Sequence, residues 1–172
     1  MLLLLHGAVD HHRRSDHVLA ESPADLLDRA ADAARQRAQD KHVEMSVDAP
    51  TDLPPVRVDG PRMATALDNL VSNAIAYTPA GGRVTLTAAR TPDGRVELAV
   101  ADSGVGIPPN NLPHVFERFF RVPGQSSPSS TGLGLAIVKE VVVAHGGTVT
   151  CESTVGQGTT FRITLPAAGD RP

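Results

Sequence analysis

Asn69-Leu70-Val71-Ser72-Asn73-Ala74-Ile75-Ala76-Tyr77 is the stretch on which the reading of this chain turns. Asn69, Asn73 and Tyr77 recur every four residues, so a helix carries all three on one face, while Leu67, Leu70 and Ala74 hold another. The apolar stripe needs a core and the amide stripe needs a cleft, which puts the helix between the two. Asp59 serves as its cap, Pro61 sits in its first turn, Met63 joins the core face, and the helix stops before Pro79. A neutral carboxamide oxygen is a ligand for Mg²⁺, a hard cation that takes oxygen donors and keeps several of its sites for water and phosphate. Asn73 is the candidate metal ligand. Two solvated asparagines on an exposed face are the plain alternative, and the rest of the chain has to decide between them.

Downstream, Ala80-Gly81-Gly82 is a turn, and residues 83–90 alternate as a strand that Pro92-Asp93-Gly94 reverses into a second strand over 95–101. A Gly- and Pro-rich passage over 104–113 follows, then a short segment over 112–120. The loop over 122–130 carries four serines and two prolines and is expected to be mobile. Residues 131–145 are mostly apolar and read as a buried helix closed by Gly146-Gly147. Two further strands, 148–154 and 159–165, are joined by Val155-Gly156-Gln157-Gly158. Upstream, Ser22-Pro23-Ala24-Asp25 is a helix start, and Leu26, Leu27, Ala30, Ala31 and Ala34 form an apolar stripe to about Lys41. Val43-Glu44-Met45-Ser46-Val47 alternates as a half-buried strand ended by the proline-rich residues 50–55. Strands joined by tight turns pair antiparallel, so the expected class is α+β: a mixed, mainly antiparallel sheet of about five strands with about three helices on one face.

Two more segments carry chemistry. Asp102-Ser103-Gly104-Val105-Gly106-Ile107 follows a strand reading Val96, Leu98, Val100. A carboxylate at a strand end accepts a hydrogen bond from the exocyclic amine of adenine, and the glycines let backbone approach a flat ring; an Asp-Ser-Gly turn is the other reading. Thr131-Gly132-Leu133-Gly134-Leu135-Ala136-Ile137 is a glycine-rich helix entry whose free N–H groups and positive dipole end suit phosphate. No Gly-Lys-Ser/Thr follows for a P-loop, and Ile137 stands where a dinucleotide fingerprint needs its third glycine.

Composition narrows the classes. The 172 residues are 41% hydrophobic, enough for one domain with one core. A net charge of −3 gives no basic footprint for nucleic acid, and 3% aromatic content gives no base-stacking platform. No apolar run reaches the ~18 residues that span a bilayer, and Leu2 to Leu5 is too short for a signal peptide. The chain is therefore expected to be cytoplasmic and not inserted in a membrane. Cys151 is the single cysteine and reads as a small core residue in a strand.

In this order, the segments resemble the ATP-binding catalytic domain of two-component sensor histidine kinases, of the GHKL or Bergerat-fold superfamily that also includes gyrase-type, chaperone and mismatch-repair ATPases. The resemblance covers 22–166, with 1–21 expected to be a flexible lead-in like the tail of a dimerisation helix and 167–172 a disordered tail. Residues 69–78 look like the asparagine box, 102–107 the first glycine box, Phe116-Glu117-Arg118-Phe119-Phe120-Arg121 the phenylalanine box, and 131–137 the second glycine box. Gly146-Gly147 and Gly156-Gln157-Gly158-Thr159-Thr160-Phe161 match the family's ending.

The resemblance implies a two-layer Bergerat sandwich that binds ATP and Mg²⁺. It places Asn69 and Asn73 toward metal and phosphates, Tyr77 beside the nucleotide, and Asp102 at adenine with Gly104, Gly106 and Ile107 around it. Thr131, Gly132, Leu133, Gly134 and Leu135 are the phosphate-side set, Arg118 or Arg121 meets charge on the transferring phosphoryl group, and residues 122–130 form the ATP lid. The hydrolysing branches carry a Glu base where this chain has Asn69, which favours transfer over hydrolysis. Two departures stand out: Ala76 replaces a frequent basic residue, and Ser130 a frequent glycine.

Kinases of this type carry their acceptor histidine in a His-Glu-x-Arg/Lys-x-x-Pro context. None of His6, His11, His12, His17, His42, His114 or His145 has it. The expected partner is therefore a histidine-bearing dimerisation or phosphoacceptor domain, on the rest of a larger kinase or on another polypeptide, and behind it a response regulator. Met1 and the flank after it favour the separate-polypeptide version. The rival readings are an anti-sigma-type serine kinase on the same fold and a non-catalytic docking module.

Overall fold

The structure, a computed structural model, describes residues 17–125 and 131–169. Its elements in chain order are β1 (Val18–Glu21), α1 (Pro23–Asp40), β2 (Glu44–Asp48), β3 (Val56–Asp59), α2 (Gly60–Tyr77), β4 (Arg83–Arg90), β5 (Val96–Asp102), a 3-10 turn (Leu112–His114), α3 (Gly134–Ala144), β6 (Thr148–Thr154) and β7 (Gly158–Leu165). The local signals work as side-chain chemistry dictates. Ser22 Oγ accepts from Asp25 N at the start of α1, and Asp59 Oδ1 accepts from Arg62 N at 3.1 Å at the start of α2. Lys41, just past α1, donates to the carbonyls of Ile75 and Ala76 at 2.8 and 2.6 Å and satisfies the last turn of α2.

The five-stranded sheet has the order β2-β4-β5-β7-β6. β4–β5, β5–β7 and β6–β7 are antiparallel, whereas β2 and β4 run parallel because β3 and α2 intervene as a crossover. Val84, Leu86, Leu98, Val100, Phe161, Ile163 and Leu165 form the inner face of the sheet, and all are buried. Leu27, Met63, Leu67, Leu70 and Val142 meet them from the three helices, so the architecture is the expected two-layer sandwich. Each such buried side chain contributes about 1.5–3 kcal/mol relative to exposure. Two polar contacts fix how the helices sit. Arg37 of α1 bridges Asp68 and Ser72 of α2 at 2.7 and 2.6 Å. His145, past the end of α3, donates from Nδ1 to Val141 O at 2.7 Å and accepts at Nε2 from Asp59 N at 2.9 Å, which joins the end of α3 to the start of α2.

Four features differ from the sequence reading. Residues 18–21, assigned there to the lead-in, are a strand: Val18 to Glu21 pair antiparallel with Asp59 to Val56 in a second, two-stranded sheet. Val56 and Val58 are fully buried, but their alternation follows so closely on the proline-rich stretch that it reads as loop. At the other end, Ala167 bridges to Val56 and Ala168 N donates to Pro55 O at 2.7 Å, so order continues past Pro166. Residues 1–16 and 170–172 lie outside the described residues, as does the 126–130 part of the expected lid. Finally, α3 starts at Gly134 and not at Thr131, because Gly132 takes a φ of +74° that no helix contains. It is buried along one face only, through Val138, Val141 and Val142, with Val143 58% exposed. Among the described residues no helix is long and apolar enough to cross a membrane.

Candidate functional site

The inner face of the sheet changes character at one end. Across β5, β7 and β6 the rung Val100–Phe161–Cys151 is apolar, and the next inward rung is Asp102–Thr159–Ser153. Period two puts these three polar side chains on the same face as the core, at the end where the helices no longer cover it. Among the described residues, both donors to the Asp102 carboxylate go to Oδ1: Gly104 N at 2.9 Å and Thr159 N at 3.3 Å. Burial raises the Asp102 pKa from its ordinary value, outweighing those two N–H groups, which lower it. Gly158 makes the rung possible, since a Cβ there would stand 1.9 Å from Asp102 O. Cys151, one rung inward, has its thiol pushed up to about 12 by burial first and by the charges of Asp102 and Glu152, so it is inert filler as expected.

Four other segments close around this rung to form a cavity of about 240 Å³. Helix α2 presents Asn69, Asn73, Ala76 and Tyr77 to it. Val105 N donates to Tyr77 O at 3.2 Å, and a Cβ on Gly104 would lie 2.4 Å from that same oxygen, so the glycine loop after β5 is seated on the end of α2. The entry to α3 supplies Thr131, Gly132, Gly134 and Leu135. It is tied to the phenylalanine segment, where Phe119 N donates to Gly132 O at 2.8 Å and Phe119 itself has a φ of +65°. Asn69 Nδ2 donates to Gly134 O at 3.3 Å, linking α2 to α3 across the floor. Gln125 Nε2 reaches Gly106 O at 2.9 Å from the described start of the expected lid.

Of the residues singled out from sequence, Asn69, Asn73, Tyr77, Asp102, Gly106, Ile107, Arg121, Thr131, Gly132, Gly134 and Leu135 all line this one cavity. Gly104 and Leu133 lie behind the wall: Gly104 packs on Tyr77, and Leu133 is the residue before α3, with its N–H on Thr131 Oγ1 at 3.4 Å. Arg118 is the departure. Its side chain is 72% exposed, 3.7 Å from Glu140 of α3, in a separate surface groove with Arg62 and Lys139. The left-handed turn at Phe119 sends Arg118 and Arg121 to different sides, and only Arg121 lines the cavity. Thr159, Phe161, Val115, Phe120 and Gln125 also line it; the sequence reading placed Phe120 in the phenylalanine box and Gln125 in the expected lid, and gave Thr159, Phe161 and Val115 no individual role. Thr159 lay in plain view in the Gly-Thr step of the closing hairpin, but its bond to Asp102 comes from strand register.

The arrangement offers an acceptor at one end, apolar walls, and a carboxamide and helix-entry N–H groups at the other. Asn73 makes no side-chain hydrogen bond among the described residues, so its oxygen is available to a cation. Among those residues no three His, Cys, Asp or Glu side chains converge as metal ligands, so a cation here would take most of its oxygens from a phosphate ligand and water.

Comparison with known proteins bears on this geometry. The family described as histidine kinase-, DNA gyrase B-, and HSP90-like ATPase matches residues 58–169. Sensor protein DivL of Caulobacter vibrioides is 45% identical over 143 residues, covering 83% of this chain and 18% of DivL. The sensor-like histidine kinase SenX3 of Mycobacterium tuberculosis is 42% identical over 144 residues, covering 83% of this chain and 35% of SenX3. Full-length ShkA, solved in complex with AMPPNP, superposes with a TM-score of 0.78 at 34% identity over 88% of this chain and 31% of that one. The chain spans between 18% and 36% of the length of the first curated relatives it matches.

Proposed function

This chain belongs to the histidine kinase-, DNA gyrase B-, and HSP90-like ATPase family, as an ATP-binding domain of the histidine-kinase kind, and from that premise we propose that it binds Mg-ATP and passes the γ-phosphate to a histidine on a phosphoacceptor domain or protein. That histidine is none of the seven in this sequence, and a response-regulator aspartate follows it in the relay. The observation that carries the reading is that one cavity gathers Asn73, Asp102 and Gly132 from three separate segments of the chain.

Each group has a job suited to its surroundings. Asp102 accepts from the adenine amine through the oxygen not occupied by Gly104 and Thr159. Ile107, Val115, Phe120 and Phe161 exclude water from the ring. Tyr77 lies between base and phosphate ends on the face of α2. Gly132, Gly134 and the N–H groups at the start of α3 hold phosphate oxygens, and Asn69 keeps that helix entry against α2. Asn73 supplies an oxygen to Mg²⁺, whose bound charge offsets that of the phosphates. Arg121 is placed to steady the charge that grows as the γ-phosphoryl group leaves. Phosphoryl transfer asks the protein mainly for positioning and charge neutralisation, and this set supplies both. Asn69 in place of a carboxylate leaves attacking water without a base, which favours transfer to an acceptor side chain.

The test is a titration with a non-hydrolysable ATP analogue, with and without Mg²⁺, on the parent chain and Asn73→Ala. We expect saturable binding that Mg²⁺ strengthens, and in the variant a loss of about tenfold or more in the Mg²⁺-dependent part. Unaltered Mg²⁺ dependence would remove Asn73 from the metal site. With ATP and a purified phosphoacceptor domain, acid-labile phosphate on that domain is the expected product. Acid-stable phosphate would point to a serine acceptor.

A further inference from the structure

The polar rung beside the cavity contains one side chain that does not line it. Ser153 Oγ accepts from Ile107 N at 2.7 Å and lies 2.9 Å from Gly158 O and 2.8 Å from Thr159 Oγ1. A hydroxyl has one proton. Gly158 O can only accept, so the Ser153 proton is committed to it, and the 2.8 Å contact is made by the Thr159 hydroxyl donating to Ser153. Thr159, 6% exposed and lining the cavity, is thereby left with lone pairs alone to offer a ligand. Its own backbone N–H is on Asp102 Oδ1 at 3.3 Å. Asp102 and Thr159 are cross-strand partners, as are Thr159 and Ser153, so the three groups form one hydrogen-bonded row.

We propose that Ser153 is a positioning residue for base selection: by holding the Thr159 hydroxyl as an acceptor beside Asp102, it selects a purine that carries an amine over one that carries a carbonyl at the same ring position. The inference rests on the nucleotide reading above and goes beyond it, because Ser153 touches no ligand and acts through Thr159. An amine brings two N–H donors to a wall of acceptors. A carbonyl in its place brings another acceptor, and while Ser153 holds the Thr159 proton that hydroxyl cannot turn to meet it. Leaving such a pair unmatched in a buried site is what makes polar discrimination strong.

The experiment is competitive binding of ATP and inosine triphosphate, which has oxygen in place of the adenine amine, to the parent chain, Ser153→Ala, Thr159→Val and the double variant. The parent is expected to prefer ATP. In Ser153→Ala the Thr159 hydroxyl is free to donate, so the ratio of the two dissociation constants narrows by about fivefold. Thr159→Val, which retains the backbone bond to Asp102, narrows it as well, and adding Ser153→Ala to Thr159→Val changes the ratio no further. Weakening of both nucleotides by the same factor in Ser153→Ala, with the ratio kept, would reduce Ser153 to a brace for the Ile107 loop and overturn the proposal. A parent that binds both nucleotides equally would overturn it while leaving the nucleotide reading intact. A parent that binds neither would overturn that reading itself. If Ser153→Ala fails to fold, an unchanged ratio in Thr159→Val would be decisive against the idea.

Discussion

At Asp102 the proposed role in binding and the stability of the fold pull in opposite directions. The carboxylate is buried at the end of β5, and desolvation raises its pKa despite the N–H groups of Gly104 and Thr159. Asparagine keeps an oxygen for both donors and has no charge to desolvate. Asp102→Asn is therefore expected to lose ATP affinity by tenfold or more, yet to melt about 1–3 °C higher than the parent at neutral pH without nucleotide. The sign follows from linkage. A carboxyl whose folded pKa is raised binds its proton more tightly in the native state, so the cost of its charge is complete above the folded pKa and disappears as pH falls below the ordinary value of 3.8. Calorimetry on both proteins should show their melting temperatures converging on acidification. A variant that melts lower at neutral pH would mean that the charge itself supports the fold. At this scale the convergence of Asn73 and Asp102 on one cavity was legible from sequence, because helical spacing and a strand end announce them as candidates. Thr159 was not, since it stands 57 residues from Asp102 and only strand register makes them partners. Nor could spacing choose between Arg118 and Arg121, which the left-handed backbone at Phe119 separates.

Among the elements, the hairpin of β6 and β7 shows how a turn can serve either the fold or the site. Gly156 and Gly158 both have positive φ, +80° and +123°. A Cβ on Gly156 would meet nothing within 4 Å, whereas one on Gly158 would collide with Asp102 O at 1.9 Å. Gly156→Ala is expected to cost about 1–2 kcal/mol, the strain of a left-handed L-residue. Gly158→Ala must in addition push β7 off β5, so a loss of about 3 kcal/mol or more is expected, with ATP binding abolished as the Asp102–Thr159 pair opens. Urea denaturation of the two variants measures the difference, and equal losses would discard the steric argument. The capped helices and turn-bounded hairpins were readable because their signals are local. The entry to α3 read as helix for three residues too many, because Gly132 looks tolerable in an apolar helix until its backbone has to pack on Phe119. The β1–β3 pair left no local trace in Val-Leu-Ala-Glu, where only the partner strand creates the pattern.

Over the whole molecule, residues from both ends of the described chain converge on β3. β1 lies along one edge, Ala167 bridges Val56, and Ala168 N donates to Pro55 O at 2.7 Å. β3 runs directly into α2 through Asp59, the cap of the helix that carries Asn69 and Asn73, so this small sheet is the footing of one wall of the cavity. None of its strands, however, lines the cavity itself. Comparing chains that end at Pro166 and at Gly169 separates these two relations. The shorter chain exposes Pro55 O and uncovers Val56, a loss of about 1–2 kcal/mol that corresponds to roughly 2–8 °C in melting temperature for a chain of this size. If the footing only adds stability, ATP affinity at a temperature where both chains are folded should agree within about twofold, since the lining residues are intact. If affinity falls along with the melting temperature, the angle of α2 is set from β3, and the position of Asn73 is a property of the accessory sheet as much as of its own helix.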